Sequence, residues 1–305
     1  MLFNRNASGS EELFTITGSF SAGSDFGTIA PELDDAMRTV GSIVGHGVVA
    51  MAEKDYETGH CGGLVAAVQL PVALLAILRQ SQSSLVTHGD RGRKILLDAD
   101  EKIPFEWMID RDERAQLDRY YRALDALWAF IEASDDEDLK KAASHRLLDE
   151  SIVKSVEDFE NVYPIDGSRY VFHMFLGLVV ESQGQLKRLV GPDVWSRVLS
   201  GRGTELRRAS ERFVVLSAVS KAARRWSLAV LPLSVARRFS PSYQGNVESS
   251  AASREEMTAY AAEMDRQIDE ARQEVLAEMA AADNPYDGYD PLPINDRSKK
   301  YFTVQ

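Results

Sequence analysis

Apolar residues recur at spacings of three and four along most of this chain. Between Ala30 and Ala52 they fall at Leu33, Ala36, Met37, Val40, Ile43 and Val44, the one-sided pattern of an amphipathic helix, with Pro31 suited to its first turn. Gly45 and Gly47 interrupt the pattern, and Tyr56 to Gly63 reads as a loop. Ala66 to Arg79 is a mostly apolar helix that Pro71 either starts or kinks. The clearest helix runs from about Arg111 to Ala133. Asp110 and Glu113 have the spacing of a capping box, and Leu117, Tyr120, Tyr121, Leu124, Leu127, Trp128 and Ile131 line one face. Leu139 to Ile152 adds a short helical piece.

The second half repeats this order. Arg169 to Val198 carries Phe172, Phe175, Leu176, Val179, Leu186, Leu189 and Val190, broken at Gly191-Pro192. Gly201 and Gly203 mark a loop, and Leu206 to Leu231 is a further helix that Pro232 limits. Ser253 and Glu256 form a second capping box ahead of a long helix from about Arg254 to Ala282, faced by Met257, Tyr260, Met264, Ile268, Ala271, Val275 and Met279. Two stretches depart from helical spacing. Gln80 to Phe105 predicts a hairpin turning on Gly89 and Gly92, and Pro232 to Val247 is irregular or hairpin-like.

The fold class that follows is mainly α: two tandem helical repeats with long capped helices, small β-hairpin insertions and extended arms at both ends. One irregular helical domain is the competing description. The divisions fall at an N-terminal arm, 1–28, a first repeat, 29–152, a linker, 153–168, a second repeat, 169–282, and a C-terminal tail, 283–305. The arm is rich in Gly, Ser, Thr and Phe. It predicts at most one short strand, Leu13 to Ile16, and is either disordered or ordered by a neighbouring subunit.

Composition narrows the function. The chain has 305 residues, 47 acidic against 35 basic, and a formal net charge of -12, which opposes binding of bulk nucleic acid through the overall field. A local basic face remains open in the stretch from Arg207 to Arg238. Cys61 is the single cysteine, so no intramolecular disulfide forms. The start, MLFNRNASGSEELF, lacks a basic region followed by an apolar run, so no signal peptide is expected. The most apolar stretch, Leu64 to Leu78, is interrupted by Gln69 and Pro71 and is too short to span a bilayer. A soluble protein of a reducing compartment is expected, with no membrane partner.

Candidate chemistry is sparse. His60-Cys61-Gly62-Gly63 invites a nucleophile reading, but adjacency in sequence does not supply a base in the right geometry. His46, His60, His88, His145 and His173 include no pair at metal-binding helical spacing. Gly89-Asp90-Arg91-Gly92 lacks the lysine and hydroxyl of a phosphate loop. Glu106, Asp110, Asp112 and Glu113 are accounted for as acids of a helix start. No catalytic, cofactor or metal residue is therefore assigned, and no cofactor is expected.

The run from Arg93 to Ala133, RKILLDADEKIPFEWMIDRDERAQLDRYYRALDALWAFIEA, resembles a segment of uncharacterised structural proteins of Bacteroidetes phages and prophages. There a short strand region leads into a helix ending in a Leu-Leu-x-Phe-Leu-Glu pattern, and here that end reads Leu127, Trp128, Ala129, Phe130, Ile131, Glu132. The Leu-Gly step of that family has its nearest equivalents in Val44-Gly45 and Val190-Gly191. The family is similar in organisation to head-completion and head–tail connector (adaptor) proteins. The resemblance implies a non-enzymatic ring subunit, commonly twelvefold, that binds the portal and a neck or tail protein. Such a ring sits at the head–tail interface of the virion, is assembled in the host cytoplasm, and meets DNA only as it passes through the lumen. The doubled chain departs from the usual small connector.

Interface candidates are Phe14 and Phe20 in the arm, Tyr286, Tyr289 and Tyr301 in the tail, and the pairs Arg224-Arg225 and Arg237-Arg238. Two alternatives belong to other classes. One is a helical enzyme or ligand-binding protein with a pocket between the halves, lined by His46, His60 and the carboxylates of 106–113. The other is a DNA-associated packaging factor using the Arg207 to Arg238 region.

Overall fold

A computed structural model of the chain describes residues 1–21, 23–84, 87–89, 92–94, 105–143, 146–201, 204–225 and 254–282. It is mainly helical. In chain order the helices are α1 (Gly9–Thr17), α2 (Phe26–Val44), α3 (His46–Thr58), α4 (Gly63–Ser84), α5 (Glu106–Ala133), α6 (Glu137–Ala142), α7 (Arg146–Glu150), α8 (Val156–Glu160), α9 (Arg169–Ser200), α10 (Glu205–Arg225) and α11 (Arg254–Ala282). Between α4 and α5, strands β1 (Thr87–Gly89) and β2 (Gly92–Lys94) pair antiparallel with Thr87 opposite Lys94.

The apolar spacings choose the buried faces. Ile29, Leu33, Ala36, Val40 and Val44 of α2 pack against α4, whose Val65, Val68, Val72 and Leu75 are buried in turn. The other flank of α4 receives Tyr120, Leu124, Leu127 and Ile131 of α5. In the second half α10 is the central helix, packed on one side by α9 and on the other by Met264, Ala271 and Val275 of α11. The expected span of that last helix agrees with the structure. Its Ser253 cap, the expected end of α10 near Leu231 and the tail 283–305 lie outside the described residues.

Glycine sets both breaks in the helical pattern. Gly45 separates α2 from α3 at φ 106°, and Gly191 kinks α9 at φ 79° and ψ 170°, backbone regions that side chains other than hydrogen avoid. Gly45 is also a close approach, since a Cβ there would overlap the Ala142 carbonyl oxygen and lie 3.0 Å from Ala143 Cα.

Several boundaries differ from the sequence expectation. Residues 1–28 are not an arm: α1 forms where a strand was expected, and Leu2, Phe3, Leu13 and Phe20 join the core. Burial of four large apolar side chains outweighs the Gly/Ser composition that suggested disorder. The helix placed from Ala30 starts at Phe26, because the Asp25 side chain accepts the Gly27 amide; Pro31 lies inside it, beyond the first turn.

α5 starts at Glu106 behind an extended Phe105, so Asp110 lies within the helix and caps nothing. The linker 153–168 is folded: Ser155 and Asp158 form a capping box for α8, and Val153, Val156, Phe159 and Ile165 are buried in the same cluster as both halves. α4 is continuous through Gln69 and Pro71. Its run Gly63–Ser83, with mean hydropathy 1.7, is long and apolar enough to cross a membrane, although 61% of that stretch is buried against the rest of the chain.

Candidate functional site

Four places collect polar or exposed groups. The first is the seam between the halves, where one face of α5 meets the start of α9. Asp125 Oδ1 accepts the Ser168 hydroxyl at 3.0 Å and the Tyr170 amide at 2.8 Å, while Ser168 Oγ accepts the Val171 amide, so α9 is capped in two tiers. Burial raises the Asp125 pKa, opposed by these hydrogen bonds and the Arg169 charge. One turn on either side, Tyr121 stacks on Tyr170 with centroids 5.3 Å apart, and Trp128 stacks on His173. Arg169 Nε donates to Glu132 at 2.8 Å. Burial pushes the Tyr120, Tyr121 and Tyr170 hydroxyls above their ordinary pKa. Stacked rings fill this seam where a pocket between the halves was the alternative expectation.

The histidines assigned to that pocket do not converge. His46 opens α3 and His60 follows its C-cap, so a helix of 13 residues, about 20 Å, separates them. His60 Nδ1 lies 3.3 Å from Thr58 Oγ1. Asp110 and Asp112 are exposed along the first turns of α5.

The second place is a cleft of about 410 Å³ between α1 and the α3–α4 pair, with Arg5, Glu12, Tyr56, Cys61 and Gln69 in its wall. Glu12 accepts the Asn4 amide at 3.0 Å, the Tyr56 hydroxyl at 2.8 Å and Gln69 Nε2 at 2.8 Å. Gln69 Nε2 also donates to the Leu2 carbonyl at 2.6 Å, and Arg5 donates to the Tyr56 carbonyl at 2.7 Å while lying over its ring. Burial holds the Tyr56 hydroxyl up at about 12, so at neutral pH it remains a donor. These bonds fasten the first residues of the chain to α3 and α4. They leave the Glu12 carboxylate engaged by three donors, a tether rather than a free acid–base group. Cys61 is exposed on the cleft's rim.

The third is the basic stretch of α10. Arg207 is buried and donates to the Val198 carbonyl at 3.0 Å, to the Ile152 carbonyl and to Glu211 at 2.5 Å. Arg208 pairs with Glu205, and Arg212 with Glu274. Arg224 Nη2 donates to both Asp265 oxygens at 2.7 Å, and Arg225 is bidentate on Glu181 through Nη1 and Nη2 at 2.6 and 3.0 Å. The interface candidates Arg224 and Arg225 are therefore paired with carboxylates of α11 and α9 in the same chain. Lys221 shares Glu181 at 3.4 Å and donates to Ser182 at 2.8 Å. Burial lowers its pKa, and the Arg225 and Arg188 charges act in the same direction.

The fourth is the start of α5. No described side chain from Trp107 to Arg119 is fully buried, and Phe105, Trp107 and Met108 are 68%, 58% and 43% exposed. From sequence Trp107, like Tyr120, Tyr121 and Trp128, reads as core by default with a protein interface as the functional option, and Phe105 and Met108 carry no such signal. What separates Trp107 is its phase: it lies off the stripe that Leu117, Tyr120 and Leu124 define. Of the residues selected from sequence, Phe14 is 50% exposed on α1, Phe20 is buried at 7%, and Arg237, Arg238, Tyr286, Tyr289 and Tyr301 lie outside the described residues. Phe20 is thereby removed from the interface candidates.

Among the described residues no group of three or more His, Cys, Asp or Glu is placed to hold a metal ion. Comparison with protein-family models, with curated proteins and with solved structures finds no match to this chain.

Proposed function

We propose that the chain is a non-enzymatic subunit of an oligomeric assembly, and that this assembly is the head–tail connector of a tailed phage. In this reading it forms a ring that binds the portal on one side and a neck or tail protein on the other, with DNA passing through the lumen. Its place is the virion, after assembly in the host cytoplasm. The observation that carries the reading is the start of α5. A rigid 28-residue helix, anchored in the core from Tyr120 onward, presents Phe105, Trp107 and Met108 to solvent at its other end. Exposed aromatics on a rigid element are what protein interfaces use as anchors.

The tandem-repeat description gains support from matching neighbours in the two halves. A helix broken at a positive-φ glycine packs on a central helix, which packs on a long closing helix: α2–α3, α4 and α5 in one half, the kinked α9, α10 and α11 in the other. Native mass spectrometry of the full chain, alone and with its cognate portal, tests the function. A closed ring or a portal-bound stoichiometric complex is expected, weakened by Trp107→Ala together with Phe105→Ala. A monomer that leaves the portal unbound at tens of micromolar overturns the reading.

A further inference from the structure

We propose that the α9–α10 seam carries a cationic docking patch, formed by Arg188, Lys221 and Arg225, for the acidic outer face of α11 on a second copy of this chain. The inference rests on the assembly reading above and assigns a surface to it.

The patch is built rather than incidental. Lys221 and Arg225 lie one turn apart on α10, and both converge on Glu181 of α9. Lys221 is further held by the wholly buried Ser182, its Nζ 2.8 Å from the hydroxyl oxygen. A single carboxylate thus serves two fixed cations. Arg188 follows Glu181 by seven residues on the same face of α9, is exposed, and makes no ion pair or hydrogen bond among the described residues. Three cations against one carboxylate leave the seam positive on a chain whose net charge is -12, with Arg188 and Arg225 at the surface and Lys221, 13% exposed, beneath them.

The complement lies on α11. From Ala259 to Ala281 that helix carries six carboxylates against two arginines. Asp265 and Glu274 turn inward to Arg224 and Arg212 of α10, and Glu263 and Glu270 share Arg266. Asp269 is exposed on the outer side without a partner among the described residues, and that side carries Glu263, Asp269 and Glu270 against Arg266 and Arg272, an excess of acid. That outer face points away from α10, whereas the patch lies on the flank of α10 that meets α9. The two surfaces therefore cannot meet within one chain. Joined between chains they make either a reciprocal twofold contact or a heterologous one, the kind that repeats around a ring when its rotation closes.

A polyanion is the less suited occupant. Its phosphates continue past a patch of three cations onto a chain of net charge -12, and that long-range repulsion works against it. A folded acidic helix places its carboxylates at the patch alone, and repulsion between the remaining surfaces is screened beyond about 8 Å at physiological ionic strength.

The test is a charge exchange in the full chain, read by sedimentation velocity across concentration. Arg188→Glu and Asp269→Arg both alter exposed, unpaired side chains, and circular dichroism and thermal melting check that each variant folds. Each single reversal is expected to weaken self-association by about tenfold or more, and the double variant to recover most of that loss. Single reversals that leave association unchanged overturn the patch while leaving the assembly reading intact. Loss in both singles without recovery in the double overturns the pairing with α11. A wild-type chain that is monomeric throughout overturns the patch, while the assembly reading is then decided by binding to the portal. Wild-type binding to a 20-mer DNA duplex that Arg188→Glu abolishes, with no effect on self-association, overturns the choice of partner.

Discussion

The Trp128 indole lies flat on the His173 imidazole, ring centroids 3.6 Å apart and planes 10° from parallel. This stack joins α5 of the first half to α9 of the second, and Glu132 Oε1 stands 3.6 Å from His173 Nε2 at its edge. Trp128 is 1% exposed, so its removal empties core volume as well as breaking the stack. Trp128→Ala is expected to cost about 3–5 kcal/mol in urea unfolding. A double-mutant cycle with His173→Ala is expected to return a coupling of about 0.5–1.5 kcal/mol. A coupling near zero shows that the rings are neighbours without mutual stabilisation.

The two glycine breaks separate conformational strain from steric overlap. Gly191 has open space around a would-be Cβ, so Gly191→Ala is expected to cost only the backbone term, about 1–3 kcal/mol. Gly45→Ala carries the same class of backbone penalty at φ 106° and adds the overlap with the Ala142 carbonyl. It is expected to be the more destabilising of the two by equilibrium denaturation. Equal effects mean that α6 yields to the added methyl.

Much of the helical pattern was legible from apolar spacing, and the parts that were not have physical causes. The stripe Met264, Ile268, Ala271, Val275 located α11 because a helix that packs on one neighbour keeps a simple period. The true start of α5 was hidden because Asp110 and Glu113 satisfy the capping rule, while the helix begins at Glu106 behind Phe105, which supplies no side-chain cap. The N-terminal segment was hidden because its anchors, Leu2, Phe3, Leu13 and Phe20, follow no single period, and it is fastened by Gln69, far along the chain. The seam at Glu181 needed tertiary structure, since nothing in the spacing of α9 and α10 pairs Glu181 with Lys221 and Arg225.

Acid titration isolates that seam. Hydrogen bonding from Arg225 and the charges of Lys221 and Arg225 hold Glu181 at about 2, against an ordinary value of 4.5. A carboxyl lowered on folding stabilises the fold above 4.5, and the contribution disappears as pH falls from 4.5 through about 2. Glu181→Gln is expected to lower Tm at pH 7 and to match the wild type near pH 2. Because the group is exposed, 0.5 M salt should shrink the difference at pH 7. A gap that persists unchanged at pH 2 assigns the effect to packing instead of charge.

The Glu12 tether makes the last prediction. Its carboxylate collects Asn4, Tyr56 and Gln69, so Glu12→Ala removes the hub of the network that holds residues 1–21 against α3 and α4. The substitution strips three hydrogen bonds; Gln69 keeps the Leu2 carbonyl, whereas the Tyr56 hydroxyl keeps only the Arg5 amide that donates to it and loses the acceptor for its own proton. Its cost is expected in the range for a hydrogen bond to a charged group, about 1.5–3 kcal/mol. That cost falls on local opening, so hydrogen exchange at the α1 amides should accelerate by roughly tenfold or more while α9 and α10 keep their protection. Deleting residues 1–20 goes further, because it uncovers the surfaces that Leu2, Phe3, Leu13 and Phe20 bury, and is expected to lower Tm in the isolated chain. An isolated chain whose Tm is unchanged by that deletion shows a segment that contributes no stability of its own and returns residues 1–20 to the role of an arm.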